Sequence, residues 1–456
     1  MEALRGVLGL VLLLGIAVLA SRHRRGIRWR TVIVALLLQV IFAFLVLRTT
    51  PGRDVLNWLS RQVEKLIGFT QSGTDFVFGP LAKVGAPSGV AFALQVLPVI
   101  IFLGALIYLL LYLRVIQFAT HVIGGAIGKL LKVSKVESMY AAVVVFLGLS
   151  EAPLLISPYL KRLTASQTFT IVVAGLTAAS GSTLVGYALL GAPLPYLLAA
   201  TVMNAPAALV MAKIIWPDTV RAEVEGVPAG TPEATGASAD ADAEAAPAKA
   251  NSGKRARLEV TRVSRAEAAT TADDFDVRDV RDTESTNILD ALARGALAGG
   301  RVAVTIGCLL IAFVALIALA NGIIGGIAGL FGVEGLTFQK LLGYAMAPVA
   351  WLLGVPWREA VEAGQFIGLK TVLNEFVAYG EFGPQVSRLS PVTVVVVTFA
   401  LAGFANFGSI AISIGALGSL RTQIRGFVAR VGVRALLAAT LANLANAAIA
   451  GLVFAR

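Results

Sequence analysis

Eight stretches of the chain consist almost entirely of apolar residues, and each is long enough to cross the hydrocarbon core of a bilayer as a helix. Backbone N–H and C=O groups find no water inside lipid, so a helix must satisfy them internally. Only 14% of the 456 residues are charged, far fewer than in a soluble domain. The sequence therefore predicts an all-α polytopic membrane protein. The eight predicted transmembrane helices are residues 3–20, 31–49, 91–113, 168–190, 197–216, 302–324, 392–420 and 434–454.

Basic residues in the short connections predict how these helices are oriented. "SRHRRGIRWR" (21–30) follows the first span and "RTQIRGFVAR" (421–430) precedes the last, and such clusters mark the cytoplasmic side. Both termini are therefore expected outside, in an integral protein of the cytoplasmic (inner) membrane. The net charge of +11 belongs to these connections, so no nucleic acid partner is expected. Because the arginine cluster directly follows the first apolar stretch, we expect a retained span there and not a cleaved signal peptide.

A polar segment separates the two halves of the chain. Residues 218–284 are rich in Ala, Glu, Asp, Thr and Pro, which predicts a disordered cytoplasmic insertion with some helix near 254–268. The predicted organisation has five parts: 1–88 (N-terminal membrane helices and an external loop), 89–216 (third span, first re-entrant hairpin and broken helix), 217–286 (the insertion), 287–356 (sixth span and interfacial helices) and 357–456 (second re-entrant hairpin, broken helix and last span).

Two carboxylic acids, Glu151 and Glu375, lie within apolar sequence at membrane depth. A charge in hydrocarbon is costly, so such an acid is expected to face a protein interior or a water-filled path and to bind a substrate or an ion. The alternative is a packing role in which each acid pairs with a buried base. Lys370, five residues before Glu375, is the nearest candidate for that role.

The segment around Glu151 has the pattern of a re-entrant hairpin. The limb on either side of the acid is too short to cross the membrane, and lysine and arginine flank both ends of the segment, which places both ends in the cytoplasm. A hairpin that turns at "GLSEAP" (148–153), with Gly148 and Pro153 bracketing the turn, satisfies both observations.

A similar arrangement recurs around Glu375. A span interrupted by small and polar residues follows each acid: "TAASGS" (177–182) after Glu151 and "GFANFGSIAISIG" (403–415) after Glu375. There are 30 residues from Glu151 to Gly181 and 31 from Glu375 to Asn406. The second hairpin is expected to enter from the opposite face, because an odd number of spans separates the two. Inverted repeats with broken helices in corresponding places predict a secondary transporter with its binding site near the midplane.

Polar side chains at the breaks of the second half form the predicted solute site. Asn374, Glu375, Asn406 and Ser409 offer donors and acceptors at one depth, which suits a polyhydroxylated solute such as a sugar or ribose. Phe404 is expected either to stack on a planar solute or to fill the core. For the serines of the broken spans, close helix packing through small residues is the alternative.

Four motifs, "GLSEAPLLISPYL", "AGLTAASGSTLVGY", "NEFVAY" and "GFANFGSIAISIGALGSL", resemble those of the concentrative nucleoside transporter family. The resemblance extends from about Val90 to Arg456, apart from the insertion, and the first two spans match by position and hydropathy. It implies a homotrimer in membrane lipid. Each protomer would have eight spans, two oppositely inserted hairpins and an elevator-like transport domain that imports nucleosides with a cation, without a cofactor.

The same resemblance assigns roles to individual residues. The base-contacting Gln-Thr-Glu of the family corresponds to Leu149, Ser150 and Glu151, so the hydroxyl is kept and the amide is lost. Thr183 stands where the family has a small apolar contact, and Glu375 resembles the ribose-binding acid. The ribose side of the site is thus expected to be intact and the base side altered. The implied substrate-binding residues are Leu149, Ser150, Glu151, Thr183, Asn374, Glu375, Phe404, Asn406 and Ser409.

The coupling ion is predicted from departures at the cation position. Sodium-coupled relatives use an Asn and a Ser side chain, which correspond here to Val144 and Ala178, so the carbonyls near Leu147, Ala178 and Ala179 remain as ligands. Hard cations need several oxygen ligands, and losing two weakens the site. A buried carboxyl group can carry a proton instead. We expect coupling to H⁺ through one of the two intramembrane glutamates, with Na⁺ as the alternative.

Two other classes of protein remain open at this point. A polytopic membrane enzyme could use Glu151 and Glu375 as acid and base, but no metal site, activated nucleophile or phosphate clamp is evident nearby. One cysteine and two widely separated histidines offer no metal-ligand pattern. An ion channel is the third reading, although single acids in opposed hairpins suit alternating access better than a conducting ring.

Overall fold

The computed structural model describes residues 2–83, 92–160, 162–218 and 285–454, together with Val277 and Asp282. This part of the chain is helical and contains no strand. The helices before the insertion are α1 (Glu2–Leu19), α2 (Trp29–Arg48), α3 (Thr50–Phe78), α4 (Phe92–Gln95), α5 (Leu97–Tyr112), α6 (Val115–Leu131), α7 (Lys135–Leu155), α8 (Ala165–Thr177), α9 (Gly181–Leu189) and α10 (Leu194–Ile215). Those after it are α11 (Ile288–Leu330), α12 (Phe338–Leu352), α13 (Trp357–Val372), α14 (Glu375–Phe382), α15 (Pro391–Leu401), α16 (Phe407–Leu420) and α17 (Thr422–Phe454).

Seven helical segments of the described chain are long and apolar enough to cross a membrane, or eight if the bent pair α12 and α13 counts as one span. These seven include α7, which the sequence predicts to be a hairpin, and they leave out α1 and the broken pair α15 and α16, whose helices are shorter. Length and composition therefore agree with a polytopic membrane protein, while the assignment of eight particular spans remains a prediction. The predicted disordered insertion and the helix near 254–268 fall almost entirely outside the described residues.

Helix α3 corrects one expectation, because the segment after the second span is not an external loop. Thr49 caps the helix by accepting a hydrogen bond from the Gly52 N–H at 3.1 Å. Its buried residues form two pairs, each with a spacing of four, and the pairs lie ten residues apart, which places all of them on one helix face. The stripe was missed because three of its members are small polar residues. The buried residues are Leu56, Ser60, Thr70 and Thr74.

Helix α7 is interrupted at Gly148, whose φ of 82° and ψ of −178° leave helical geometry at the predicted hairpin turn. Only glycine adopts this conformation at no steric cost. The side chains of Tyr140 and Leu149 both reach Gly175, although nine helical residues would separate them by about 13.5 Å along a straight axis. Pro153, predicted to bracket the turn, lies instead inside the second limb. A proline near the start of a helix removes only one hydrogen bond, so the limb tolerates it.

The second hairpin is formed by α13 and α14, which pack against each other across a short connection. Leu373 leaves helical geometry with φ −106° and ψ −92°, and Asn374 is extended before α14 begins. The axes of α12 and α13 are bent by 117° relative to each other, so α12 does not continue into the hairpin.

Two spans are broken next to these turns. Ala178, Ala179 and Ser180 separate α8 from α9, as the motif "TAASGS" predicts. Residues 402–406 separate α15 from α16, so the predicted interruption 403–415 is shorter than expected and its second part is helical. Asn406 caps α16 and allows the helix to restart there.

The core of the described chain lies where α8, α10, α15 and α17 pack together, and α1 and α2 cover this group. Helix α5 packs along α11 beside it, and α9 contacts α5. The turn of α7 reaches the first break, since a Cβ on Gly148 would lie 2.7 Å from Ser180 Cβ. The Phe404 N–H in the second break donates to the Ala178 carbonyl in the first at 3.0 Å. Both breaks and both hairpins therefore meet in one region.

Candidate functional site

The N-terminal ends of three short helices face this meeting region, each with a polar side chain as its cap. Ser180 Oγ accepts from the Thr183 N–H at the start of α9, at 3.4 Å. Asn374 Oδ1 accepts from the Val377 N–H at the start of α14, at 2.9 Å. Helix N-termini carry partial positive charge, so they favour a carboxylate or electron-rich solute groups.

Glu375 lies in the first turn of α14 and is only 4% exposed. Its Oε2 accepts a hydrogen bond from Asn406 Nδ2 at 2.9 Å. Asn406 also accepts from the Ser409 N–H at 2.8 Å through its Oδ1, and so fixes the start of α16 against the carboxylate. The structure thus brings together the three residues that the sequence predicts to bind ribose.

Tyr187 completes this group and was not predicted from the sequence. Its hydroxyl donates to Glu375 Oε1 at 3.2 Å, and its ring stacks on Tyr379 with centroids 4.6 Å apart. The signal was available, because Tyr187 follows Thr183 by four residues and lies on the same face of α9. A carboxylate has about four acceptor positions, and the protein occupies one on each oxygen. Acceptor capacity therefore remains for a solute hydroxyl.

The first hairpin supplies a second group of predicted residues. Leu149 is buried, with Cδ1 close to Gly175, whereas Ser150 is exposed and Glu151 is half-buried. Glu151 Oε2 lies 3.8 Å from the Cβ position of Gly148, on the side where Ser180 packs. No hydrogen bond or ion pair joins Glu151 to another side chain in the described part of the chain. Its carboxylate is thus placed at the turn without a side-chain partner among the described residues.

Thr183 and Phe404 lie between the two groups. Thr183 is buried and its hydroxyl donates to the Ser180 carbonyl at 2.9 Å, so it serves the first turn of α9. Phe404 is held in the break by its N–H bond to the Ala178 carbonyl, and its ring is half-buried. Ser413, for which packing was the alternative, donates to the Ser409 carbonyl at 2.9 Å within α16.

The predicted cation ligands are buried but only partly available. Leu147, Ala178 and Ala179 are each no more than 5% exposed. The Ala178 carbonyl already accepts the Phe404 N–H, which uses one of its lone pairs. Thr177, a hydroxyl that could replace the missing side-chain oxygen, donates instead to the Val173 carbonyl at 2.8 Å.

Lys370 does not form an ion pair with Glu375, the packing alternative raised by the sequence. Its Nζ donates to the Ala400 carbonyl at 2.8 Å and to Asn443 Oδ1 at 2.7 Å. None of the ion pairs recorded within 4.0 Å in the described residues includes Lys370 or Glu375. The side chains that hydrogen-bond the carboxylate, Tyr187 and Asn406, are therefore both neutral.

Two interrupted helices that meet broken spans at a buried, partly satisfied carboxylate are typical of a secondary transporter. The comparisons with known families agree with this class. Residues 196–451 match the family described as "Na+ dependent nucleoside transporter C-terminus", and residues 8–81 match the corresponding N-terminus. Residues 93–194 match the family described as "Nucleoside recognition".

Similar proteins cover the chain from end to end. The transporter YutK of Bacillus subtilis is 45% identical over 99% of this chain and 100% of its own length. The nucleoside permease NupC of Helicobacter pylori is 36% identical over 99% of this chain and 98% of its own. Among solved structures, CNTnw in an inward-facing substrate-bound state matches with a TM-score of 0.84 and 40% identity, over 100% of this chain and 98% of that one. The chain belongs to the concentrative nucleoside transporter family, and it is a membrane transporter, not an enzyme.

Proposed function

We propose that this chain imports nucleosides across the cytoplasmic membrane by cation symport. The observation that carries the proposal is the Glu375 carboxylate, which is buried at a helix N-terminus and held by Tyr187 and Asn406 with acceptor capacity to spare. Two neighbouring hydroxyl groups of a ribose are suitable donors for it. The family membership independently supports a nucleoside as the solute.

Uptake of labelled uridine into proteoliposomes tests this proposal. Glu375→Gln removes the charge and replaces one acceptor oxygen with an NH₂ donor group. The ribose hydroxyl that donates to this oxygen is then left without an acceptor. We expect a loss of about 1–3 kcal/mol of binding free energy, which corresponds to about fivefold to 150-fold weaker binding and a matching loss of uptake at low uridine concentration. Glu381→Gln, an exposed acid on the same helix, is the matched control and should transport normally. Normal uridine transport by Glu375→Gln would contradict the proposed site.

We propose the proton as the coupling ion. Val144 and Ala178 provide no side-chain oxygen where sodium-coupled relatives are expected to have two, and the hydroxyl of Thr177 is engaged within its own helix. The Ala178 carbonyl is shared with Phe404. Glu151 or Glu375 would then carry the proton, because a buried carboxyl group can be neutral as well as charged.

Separate ion gradients across proteoliposomes distinguish the two coupling ions. We expect uridine accumulation to follow an inward proton gradient in sodium-free buffer and to ignore a sodium gradient at equal pH on both sides. Glu151→Gln and Glu375→Gln, each tested for counterflow without a gradient, show which acid is needed for coupling alone. Accumulation driven by sodium at equal pH would show that the alternative is correct.

We also propose an elevator-type mechanism in a homotrimer with both termini outside. Solved structures of CNTnw in outward-facing and intermediate states match this chain with TM-scores of 0.82 to 0.84, which supports a cycle of alternating access. The arginine clusters 21–30 and 421–430 support the orientation.

A further inference from the structure

A second polar cluster lies at the same two breaks, on the side where α8 and α15 terminate. We call it the amide cluster; it consists of Asn204, Lys370, Asn443 and Asn446, each of which is at most 2% exposed. The C-terminal carbonyls of a helix have no partner within the helix and carry partial negative charge. This cluster supplies donors to the ends of both broken spans.

The last carbonyls of α15 are each bound by a specific donor. Tyr379 Oη donates to the Thr398 carbonyl at 2.9 Å, and Asn204 Nδ2 donates to the Ala402 carbonyl at 2.6 Å. Lys370 Nζ donates to the carbonyl between them, that of Ala400. Lys370 is thus the one charged donor among those recorded at this helix end in the described residues.

The other broken span is reached through Asn443. This side chain accepts from Lys370 through Oδ1 and donates through Nδ2 to the Thr177 carbonyl, the last of α8, at 3.0 Å. Asn204 Oδ1 accepts from Asn443 and from Asn446, at 3.2 and 2.9 Å. One ammonium group therefore connects the second hairpin, both broken spans and α17.

The surroundings of Lys370 are those of a cation site built from neutral oxygens. The ammonium is buried, it has no carboxylate within 4.0 Å in the described residues, and its partners are an amide oxygen and a backbone carbonyl at a helix C-terminus. In secondary transporters, carbonyls of interrupted spans and half-helix C-terminal ends coordinate coupling cations. Here a covalently attached cation lies in such a position.

We propose that the Lys370 ammonium is a tethered cation, which fills a cation position at the crossing of the two broken spans and removes the need for a diffusible ion there. It acts as a positioning residue: it holds the second hairpin, with Glu375 at its turn, against both breaks. This inference rests on the proposed transport function, and its uptake test also rests on the proton as the coupling ion, whereas its stability test rests on neither.

The test compares Lys370→Gln with wild type in uridine uptake, at a fixed proton gradient, in choline, sodium and lithium salts at equal concentration on both sides. Gln keeps a neutral N–H donor and loses the charge. We expect wild type to be indifferent to the salt. The variant should be about tenfold slower in choline and should recover partly in sodium or lithium, because a free cation can enter the vacated oxygens. Lys340→Gln, at an exposed lysine that donates to the Gly335 carbonyl, is the matched control.

Two results would overturn the inference. Wild-type uptake by Lys370→Gln in choline would show that a neutral hydrogen bond is sufficient, and an equal loss in all three salts would show that no cation position was vacated. If the variant is too unstable for transport assays, its unfolding temperature in membranes replaces uptake as the measurement, with sodium or lithium expected to raise it relative to choline and no difference counting against the inference. Absence of nucleoside uptake in wild type would instead contradict the proposed function, while the salt-dependent stability of the variant still tests the tethered cation.

Discussion

Leu149 is the proposed site residue whose chemistry departs most from the pattern that the family resemblance implies. It is buried beside Gly175 at the start of the second limb of α7, where the resemblance implies an amide that contacts the base. A site that hydrogen-bonds a substrate group strongly rejects analogues that lack this group, because its own polar group is then left unpaired. An apolar site discriminates less. We therefore expect purine and pyrimidine nucleosides to compete with similar strength in wild type.

Leu149→Gln should restore base discrimination. Gln is close to Leu in size and adds an amide that can hydrogen-bond a base edge, so we expect a preference of about tenfold or more between base classes. Competition of unlabelled nucleosides with uridine uptake measures it, and Leu154→Gln, at an exposed position of the same limb, is the control. Strict selectivity in wild type would contradict the assigned role of Leu149.

Asp218, which follows α10, illustrates how charge stabilises one end of the helix group. Its carboxylate accepts from Lys213 and from Ser166 Oγ, the latter at 3.0 Å, and it lies 3.2 Å from Arg28. Lys213 also bonds Glu137 at the start of α7. Burial alone would raise the pKa of Asp218, but the ammonium of Lys213, aided by Arg28, holds that pKa below its ordinary value.

Asp218→Asn is expected to lower stability in a pH-dependent way. A lowered pKa in the folded state means that the ionised carboxylate stabilises the fold above its ordinary pKa of about 4 and that this contribution is lost as the pH falls through the lower folded-state value. The variant should be less stable than wild type by about 1–2 kcal/mol at neutral pH. Thermal unfolding from neutral pH to about pH 3 should show the two converging at the acid end. Glu334→Gln, at an exposed acid, is the control and should show no such convergence. A stability difference between Asp218→Asn and wild type that stays constant with pH would contradict this explanation.

At the scale of elements, the packing of α5 against α11 depends on glycines at the contact. A Cβ on Gly299 would lie 2.7 Å from the Ile100 carbonyl oxygen, and one on Gly104 would lie 2.6 Å from the Gly295 carbonyl oxygen. The two glycines of α11 are four residues apart, the spacing that allows close approach of membrane helices. The two helices can approach each other closely because these glycines have no side chain.

Gly299→Ala and Gly300→Ala form a matched pair for this packing. The added methyl group clashes with backbone at the first position and meets nothing within 4 Å at the second. We expect Gly299→Ala to lower stability by about 1–3 kcal/mol, and Gly300→Ala to leave it unchanged or slightly higher, since alanine favours helix. Thermal unfolding in detergent measures both. Equal unfolding temperatures for the two variants would show that α5 and α11 can move apart to accommodate the methyl group.

At the scale of the whole molecule, α11 leaves a large apolar surface uncovered. It has 43 residues, which span about 65 Å, and only 11% of its most apolar window is buried within the protomer. Lipid and neighbouring protomers can both cover such a surface. The proposed homotrimer would use part of it.

Native mass spectrometry from detergent micelles tests the assembly. We expect a predominant species of three 47.5 kDa chains. This species should persist in Glu375→Gln, because the carboxylate is buried and contacts side chains at α9 and α16 of its own protomer. A purely monomeric or dimeric protein in wild type would contradict the trimer. Loss of trimers only in the variant would show that its transport defect has a structural cause.

The sequence by itself determined the membrane class, the two hairpins as candidates and the positions of both breaks. These features depend on local chemistry: apolar runs of membrane length, glycine at a turn with positive φ, and caps such as Asn406 that bond an amide three residues later. It missed α3, because small polar residues occupy a buried helix face there and read as a loop.

Only the tertiary structure decided which side chains share the site. Tyr187 reaches Glu375 across 188 residues of chain, and Lys370 bonds Asn443 across 73 residues in preference to the acid five residues away. Periodicity and capping describe neighbours along one helix, whereas the buried donors and acceptors of several helices are matched only when those helices pack. The predicted acid lies buried at the start of α14, and its partners were set by which helix ends the fold brings together.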